Sequence, residues 1–468
     1  MLLGSIFEKF VAKSPVSVMV RGTLEYALRP KLLNDLFQQH AADQYTRTLL
    51  FSTVVDLISL VTCGVHASVR AAYRAAPEDI AVSLTSVYNK LNGLETPVAA
   101  ALVRSVCQQL EPVQRQLGGT LPELIPGYHL RILDGNHLAA TEHRWAETRS
   151  DSAAPLPGQA LVVLDPALML IRDVFPCADG HAQERSLLDA VLQTVRERDV
   201  WMADRNFCVL SFLLGVAQKG GCFLIREHKG LTWKGAGRLR SCGRSASGRV
   251  REQRVSVLNE QGDKWFLRRV VLQLDKPTRD GATELALLTN LPPAAATARQ
   301  VAEHYRKRWT VETAFQELTE ALCCEVKALC YPQAALFTFC VALVSYNVLS
   351  VVKGAVRGVH GTEKVQEEFS DYLLADELAG VYEGMMIATG EESWTVFATL
   401  TVAELVVVLR QLASNIRLSK FRRHPRGPKK QTAKRKYNKK HPHVATSRIL
   451  AKRRTNKAAM KSSKKPAP

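Results

Sequence analysis

None of the ten cysteines forms a C-x-x-C pair, and no zinc-ligand spacing occurs, so neither a zinc-stapled domain nor a disulfide scaffold is written into this chain. Most of them lie in apolar runs, where cysteine behaves as a small hydrophobe, and they imply a reducing compartment. The N-terminal stretch MLLGSIFEKF lacks the basic n-region and the A-x-A site of a signal peptide. No internal repeat is visible. Long apolar runs are scarce: Leu49–Val65 is interrupted by Asp56, and only 328–352 is free of formal charge. That stretch meets the length of a membrane span. It also holds Pro332, Gln333, Ser345, Asn347 and Ser350, which make it a buried core helix, and no membrane is expected.

Acid is missing from one end. The chain has 63 Lys and Arg against 44 Asp and Glu, a net of +19 over 468 residues. Residues 417–468 hold 20 of those cations and no acid, which leaves −1 for everything before them. Such an end is predicted to be a basic disordered tail that binds a polyanion, with nucleic acid the natural partner. A second basic stripe runs from Arg226 to Arg254, with nine Lys and Arg against Glu227 and Glu252. It gives the body of the protein its own polyanion-facing surface.

What is present is ordinary globular material, 46% hydrophobic and 23% charged, in a chain long enough for several domains. Residues 1–125 read as helical. Pro77, Glu78 and Asp79 open a stretch with Ile80, Leu84, Val87 and Leu91 at helical spacing, closed by Gly93. With Ser83, Thr85, Ser86, Asn89 and Lys90 exposed, it is either a helix-turn-helix reader or part of a plain bundle. From Tyr128 the pattern becomes β: Tyr128–Leu133, Gln159–Leu164 and Leu168–Phe175 read as strands. A helix over Ser186–Arg198, a strand Val200–Ala203, a helix Phe207–Gln218 and a strand Cys222–Arg226 follow. Three strands, a helix, then a β-α-β step is the order of a ribonuclease H-like α/β fold. Residues 227–282 interrupt it with a β-rich basic insertion, in which Trp265 is either a base-stacking aromatic or a small-core residue. Glu284–Asn290 resumes the strands, and Thr297 to about Leu322 reads as one long helix. The predicted division is 1–125 helical, 126–226 with 283–355 catalytic, 227–282 insertion, 356–416 helical and 417–468 tail.

Asp134 and Asp204 each follow a short apolar strand, where a rigid support presents a carboxylate at the sheet edge. Tyr305, Arg308 and Glu312 are spaced by three and four and share a helix face. Three carboxylates from a sheet and a facing helix suit two Mg²⁺ ions, with Mn²⁺ able to substitute, for in-line phosphoryl transfer. Asp165 at a hairpin turn, Asp173, Asp179, Glu317 and Glu320 read as structural, and His137 and His143 as neighbours of the site rather than ligands.

These residues resemble the DDE transposases of bacterial insertion sequences, most of all insertion-sequence family four, to which the transposase of transposon five also belongs. The resemblance rests on Asp134-Gly-Asn-His137, on Trp201-Met-Ala-Asp-Arg-Asn-Phe207, and on Tyr305-x2-Arg308-x3-Glu312. It covers roughly residues 128–350. It implies that Asp134, Asp204 and Glu312 are the metal-binding catalytic triad and that Tyr305 and Arg308 contact a DNA phosphate. It implies cut-and-paste transposition, with the element's inverted-repeat ends and target DNA as partners, a dimer in the end complex, and work at the nucleoid in the cytoplasm. The family's signature lysine falls at Thr319, with Lys307 or Lys327 as candidates to replace it. A non-catalytic DNA-binding regulator, or decayed copy, would share the tail but has no use for three intact acids. A plain metal-dependent nuclease would not need the flanking helical regions.

Overall fold

The computed structural model describes residues 4–44, 46, 48–75, 80–149, 153–278, 281–423 and 443–462; the side chains of 317–321 and 458–462 are not described. Ten strands form one sheet: β1 (His129–His137), β2 (Gln159–Asp165), β3 (Leu170–Cys177), β4 (Asp199–Ala203), β5 (Cys222–Arg226), β6 (Lys234–Gly235), β7 (Arg240–Ser245), β8 (Gly248–Leu258), β9 (Lys264–Leu274) and β10 (Glu284–Thr289). They are ordered β3-β2-β1-β4-β5-β10-β9-β8-β6, with β7 also on β8. β1, β4 and β5 run parallel, and β2 is antiparallel to both β1 and β3. The first five strands have the order and directions expected of a ribonuclease H-like core. The insertion is not a separate body, because β10 pairs antiparallel with β5 on one side and β9 on the other. Its long β8–β9 hairpin therefore extends the same sheet.

Apolar residues on the two faces of the core strands feed two clusters. Ile132, Val162, Met202 and Leu224 face the larger core, which also takes in the helices from both chain ends. Leu133, Leu161, Val163, Trp201 and Phe223 face a smaller core under the helix Leu210–Gln218. The division follows from the two-residue period of a strand.

The charge-free stretch leads into and forms the first part of a helix spanning Pro332–His360, whose most apolar window is wholly buried within the protein. The helices Pro15–Ala27, Phe51–Thr62, Thr96–Gln116 and Val402–Ser414 all pack on it, so the two terminal helical regions share one core. The approach is close: a β-carbon on Gly119 would lie 1.9 Å from the Gly354 carbonyl oxygen.

Four predicted elements differ. The helix over Leu84–Gly93 starts at an N-cap, where the Ser83 hydroxyl accepts from the Ser86 N–H; Pro77, Glu78 and Asp79 lie outside the described residues. Ser83, Thr85, Ser86 and Asn89 are exposed as expected, but the Lys90 ammonium sits 3.9 Å from the Phe37 ring centre. Ser186–Arg198 forms only a 3-10 turn, Glu184–Leu187, and a single helical turn, Leu188–Leu192. The long helix is two, Ala298–Tyr305 and Trp309–Ala321, joined by a 3-10 turn at Arg306–Arg308. The tail is not structureless where it is described. Phe421 is buried and stacks on Phe369, and Thr446–Ser462 is a helix. That helix is moored by the Leu156–Ala445 bridge, by Arg448 to Asp179 at 2.9 Å and by Arg453 to Glu147 at 3.1 Å. Short-range charge repulsion is offset there by acids from the body that the tail's own composition does not reveal. Residues 424–442 lie outside the described chain.

Candidate active site

Register places the two aspartates. Ile132 of β1 pairs with Met202 of β4, and both side chains enter the larger core. Two residues further along each strand are Asp134 and Asp204, so they emerge side by side on the same face. The Trp309–Ala321 helix packs on β1 across that face and carries Glu312 in its first turn. The 3-10 turn before it swings Arg308 between the acids. Its guanidinium meets Asp134 at 3.2 Å and Glu312 at 2.6 Å.

The carboxylates crowd one another. Burial pushes the Asp134 carboxyl up to about 6, against the pull of the Arg308 charge and the Gly135 N–H, and Asp204 and Glu312 push it further. The Arg308 guanidinium is held above its ordinary value: burial works against its charge, and Tyr305, Asp134 and Glu312 more than offset it. Asp204 accepts the Asn206 N–H at 2.7 Å, capping the 3-10 turn Arg205–Phe207.

Among the described residues no three His, Cys, Asp or Glu side chains converge closely enough to hold a metal as placed. The donor set nevertheless fits a hard divalent cation. It is all carboxylate oxygen, and burial holds one member, Asp134, above the ordinary carboxylate range, so added positive charge is favoured beside it. Arg308 stands where part of that charge is needed.

The other expected residues divide. The Tyr305 ring is buried, and its hydroxyl donates to the Ala203 carbonyl at 3.3 Å, so it braces the end of β4 instead of facing solvent. Burial also drives its phenol far above the ordinary value. Trp265 is half-buried against the small core of Val255, Val257 and Leu267. The exposed aromatic of that strand is its neighbour Phe266, with the Arg254 guanidinium 4.0 Å from the ring centre. The Thr319 side chain lies outside the described residues. Lys327 lines a small cavity with Leu138 and Ala139, just past the end of β1 that carries Asp134. Lys307 lines a 280 Å³ cavity with His129 and Leu130, at the opposite end of that strand.

The three aspartates read as structural are engaged elsewhere, and the Glu317 and Glu320 side chains lie outside the described residues. Asp165 accepts the Ala167 and Leu168 N–H groups and pairs with Arg131 at 2.5 Å; Asp173 pairs with Arg104 at 2.5 Å. Two residues escaped the sequence reading. Trp309, 62% exposed, stands one turn before Glu312, and its being a large aromatic beside a candidate acid was the signal. Glu184 lies against Gly135, the residue after Asp134, and bonds Asn206, two residues after Asp204, and nothing local in the sequence announces it.

Residues 126–348, just under half of the chain, match the family described as "Transposase DDE domain". The chain is 27% identical over 234 residues to the putative transposase InsL of insertion sequence element IS186A from Escherichia coli strain K12. It is equally similar to the transposase of insertion sequence element IS421 from Escherichia coli. Each overlap takes in 42% of this chain and 58% of the relative, so the chain spans under two thirds of the length of the curated relatives it matches. The family uses divalent metal ions. Residues 126–348, whose strands and facing helix carry the three acids, are thus similar to the DDE transposases of insertion sequences.

Proposed function

We propose that this protein moves its own DNA element by cut-and-paste transposition, cleaving at the element's inverted-repeat ends and joining the freed 3′-hydroxyl to target DNA. The observation that carries this is the placing of Asp134 on β1 and Asp204 just past the adjacent parallel β4, with Glu312 on the helix across from them and joined to Asp134 through Arg308. Asp134, Asp204 and Glu312 hold Mg²⁺, with Mn²⁺ able to substitute. Bound there, the metal supplies charge for an attacking oxygen and a leaving oxygen. Arg308 exchanges a carboxylate for the end phosphate, to which a guanidinium offers a bidentate, charged contact. Tyr305 serves the same contact from beneath through the end of β4. Lys327, on the catalytic edge, takes the place of the missing signature lysine in preference to Lys307.

Around this centre we assign 126–226 and 283–355 to the catalytic domain, 227–282 to a DNA-facing insertion, and 1–125, 356–416 and the basic tail to end binding and assembly. Both ends must be held at once, so the working complex is at least a dimer, acting at the nucleoid in the cytoplasm.

The test is cleavage of end-labelled duplexes bearing the element's ends. Asp134→Asn, Asp204→Asn and Glu312→Gln should each lose strand cleavage by at least about three orders of magnitude, on the scale of removing a group essential to the chemistry, while binding the duplex. Near-normal cleavage by any one of them removes that residue from the triad.

A further inference from the structure

We infer that Glu184 and Asn206 are positioning residues that fix the spacing of Asp134 and Asp204; the inference rests on the metal-site reading above. The ladder between β1 and β4 ends at Ile132 and Met202, two residues short of the aspartates. Beyond that point main-chain pairing between the two strands no longer sets how far apart their ends stand. Glu184 begins where the ladder stops. One of its carboxylate oxygens accepts the Asn206 side-chain amide at 2.5 Å. The other lies against Gly135, where a β-carbon would meet it at 1.9 Å. Arg185 adds a second tie, donating to the Asn206 carbonyl at 2.6 Å.

Each tied residue in turn holds an aspartate. The Asn206 N–H donates to Asp204 at 2.7 Å, and the Gly135 N–H donates to Asp134 at 3.0 Å. A single carboxylate thus reaches from the β1 segment that carries Asp134 to the 3-10 turn that follows Asp204. It does so from the opposite face of the sheet, because Gly135 follows Asp134 on a strand and successive residues point to opposite faces. Glu184 is therefore a brace rather than a further ligand. The brace also accounts for Gly135 and Asn206 in the two recognised motifs: the first leaves room for the Glu184 carboxylate, and the second supplies both of its linking N–H groups. Two acids that share cations need their separation held to within about 0.5 Å, which two chain segments no longer paired with each other do not provide.

The experiment uses the full chain and Mn²⁺ alone, read by the electron paramagnetic resonance signal of the free ion, with a thermal midpoint for each variant. Glu184→Ala should weaken Mn²⁺ binding by about 10- to 100-fold, the range for removing a partner that orients a ligand. Its midpoint should stay near that of the parent protein. Asn206→Ala cuts the same link from its other end and should match it, which keeps the test intact if Glu184→Ala fails to fold. Glu184→Gln retains an oxygen that can accept from Asn206 and should bind Mn²⁺ within about threefold of the parent, as an orienting partner rather than a charged ligand. Parent-like Mn²⁺ affinity in Glu184→Ala and Asn206→Ala would overturn the brace. So would a Glu184→Gln variant as weak as Glu184→Ala, because Glu184 would then act through its charge. A parent protein that binds no Mn²⁺ would instead overturn the metal reading, and the brace with it.

Discussion

The two ends of one pair of strands carry acids in opposite electrical circumstances. At the start of β1 and β4, Asp199 of β4 and Asp165, the last residue of the neighbouring β2, are buried against Arg131 of β1 at 3.2 and 2.5 Å, and Arg172 stands 3.9 Å from Asp165. At the other end Arg308 pairs with Asp134 and Glu312 while Asp204 adds its charge beside Asp134, and Asp134 is so poorly compensated that burial lifts it to about 6. Every side chain involved is an ordinary Asp, Glu or Arg. What separates a structural cluster from a reactive one is how completely the acids are matched by cations already in the protein. The first cluster is complete as folded, and the second has room for more positive charge.

The largest expected effect breaks the matched end. Arg131→Met leaves buried Asp199 without its cation and Asp165 with only Arg172 at 3.9 Å, and should destabilise the fold by about 3–5 kcal/mol in urea unfolding, as for other buried pairs broken from one side. A loss below about 1 kcal/mol would mean that the pairing is not what satisfies Asp165 and Asp199.

At the unmatched end the sign reverses. A carboxyl raised to about 6 binds protons more tightly folded than unfolded, so stability is lost as pH rises from about 4 to about 6 and the penalty is complete above that. Asp134→Asn should therefore stabilise the chelated protein by about 1–3 kcal/mol at pH 8. The gain should vanish below about pH 4, where both forms are neutral. Urea unfolding in a chelator at the two pH values checks it, and a destabilised variant at pH 8 contradicts it.

Arg308→Ala should weaken end-duplex binding by about tenfold, the scale of one charge-assisted contact, and Thr319→Ala by much less. The smallest effect separates the two lysines: Lys327→Gln should reduce duplex affinity by about two- to fivefold at low salt, and Lys307→Gln should not, as one phosphate contact at the catalytic edge implies. Filter-binding titrations read both, and the reverse ranking would move the phosphate path to the other end of the strand.

Much of this site is legible in the sequence because its parts are local. An apolar strand that runs into an aspartate, and a Tyr-Arg-Glu stripe at helical spacing, carry their geometry within a few residues, although β1 continues past Asp134 to His137 where the reading ended it at Leu133. The alternation from Tyr128 onward similarly yields the strand order of the core. The failures are of another kind. Helical spacing cannot reveal that the chain tightens into a 3-10 turn at Arg306–Arg308, because both forms keep the stripe on one side. In the insertion the face assignment depends on a one-residue phase, so Trp265 goes inward and Phe266 outward. The burial of Tyr305, the Glu184 brace and the mooring of the tail helix on Asp179 all depend on partners tens to hundreds of residues away. A tail read by composition alone looks structureless because its acids belong to the body.

The most direct test sets the two ends against each other with one probe. Mn²⁺ titration of Asp134→Asn and Asp165→Asn, each held below its own unfolding temperature, should show binding lost by more than about 100-fold in the first, as for removal of a ligand itself. Binding should be unchanged in the second, although that protein is the less stable of the two. Equal Mn²⁺ affinity in both variants would contradict the account, because the end of the sheet that carries Asp134 would then be no more a cation site than the end that carries Asp165.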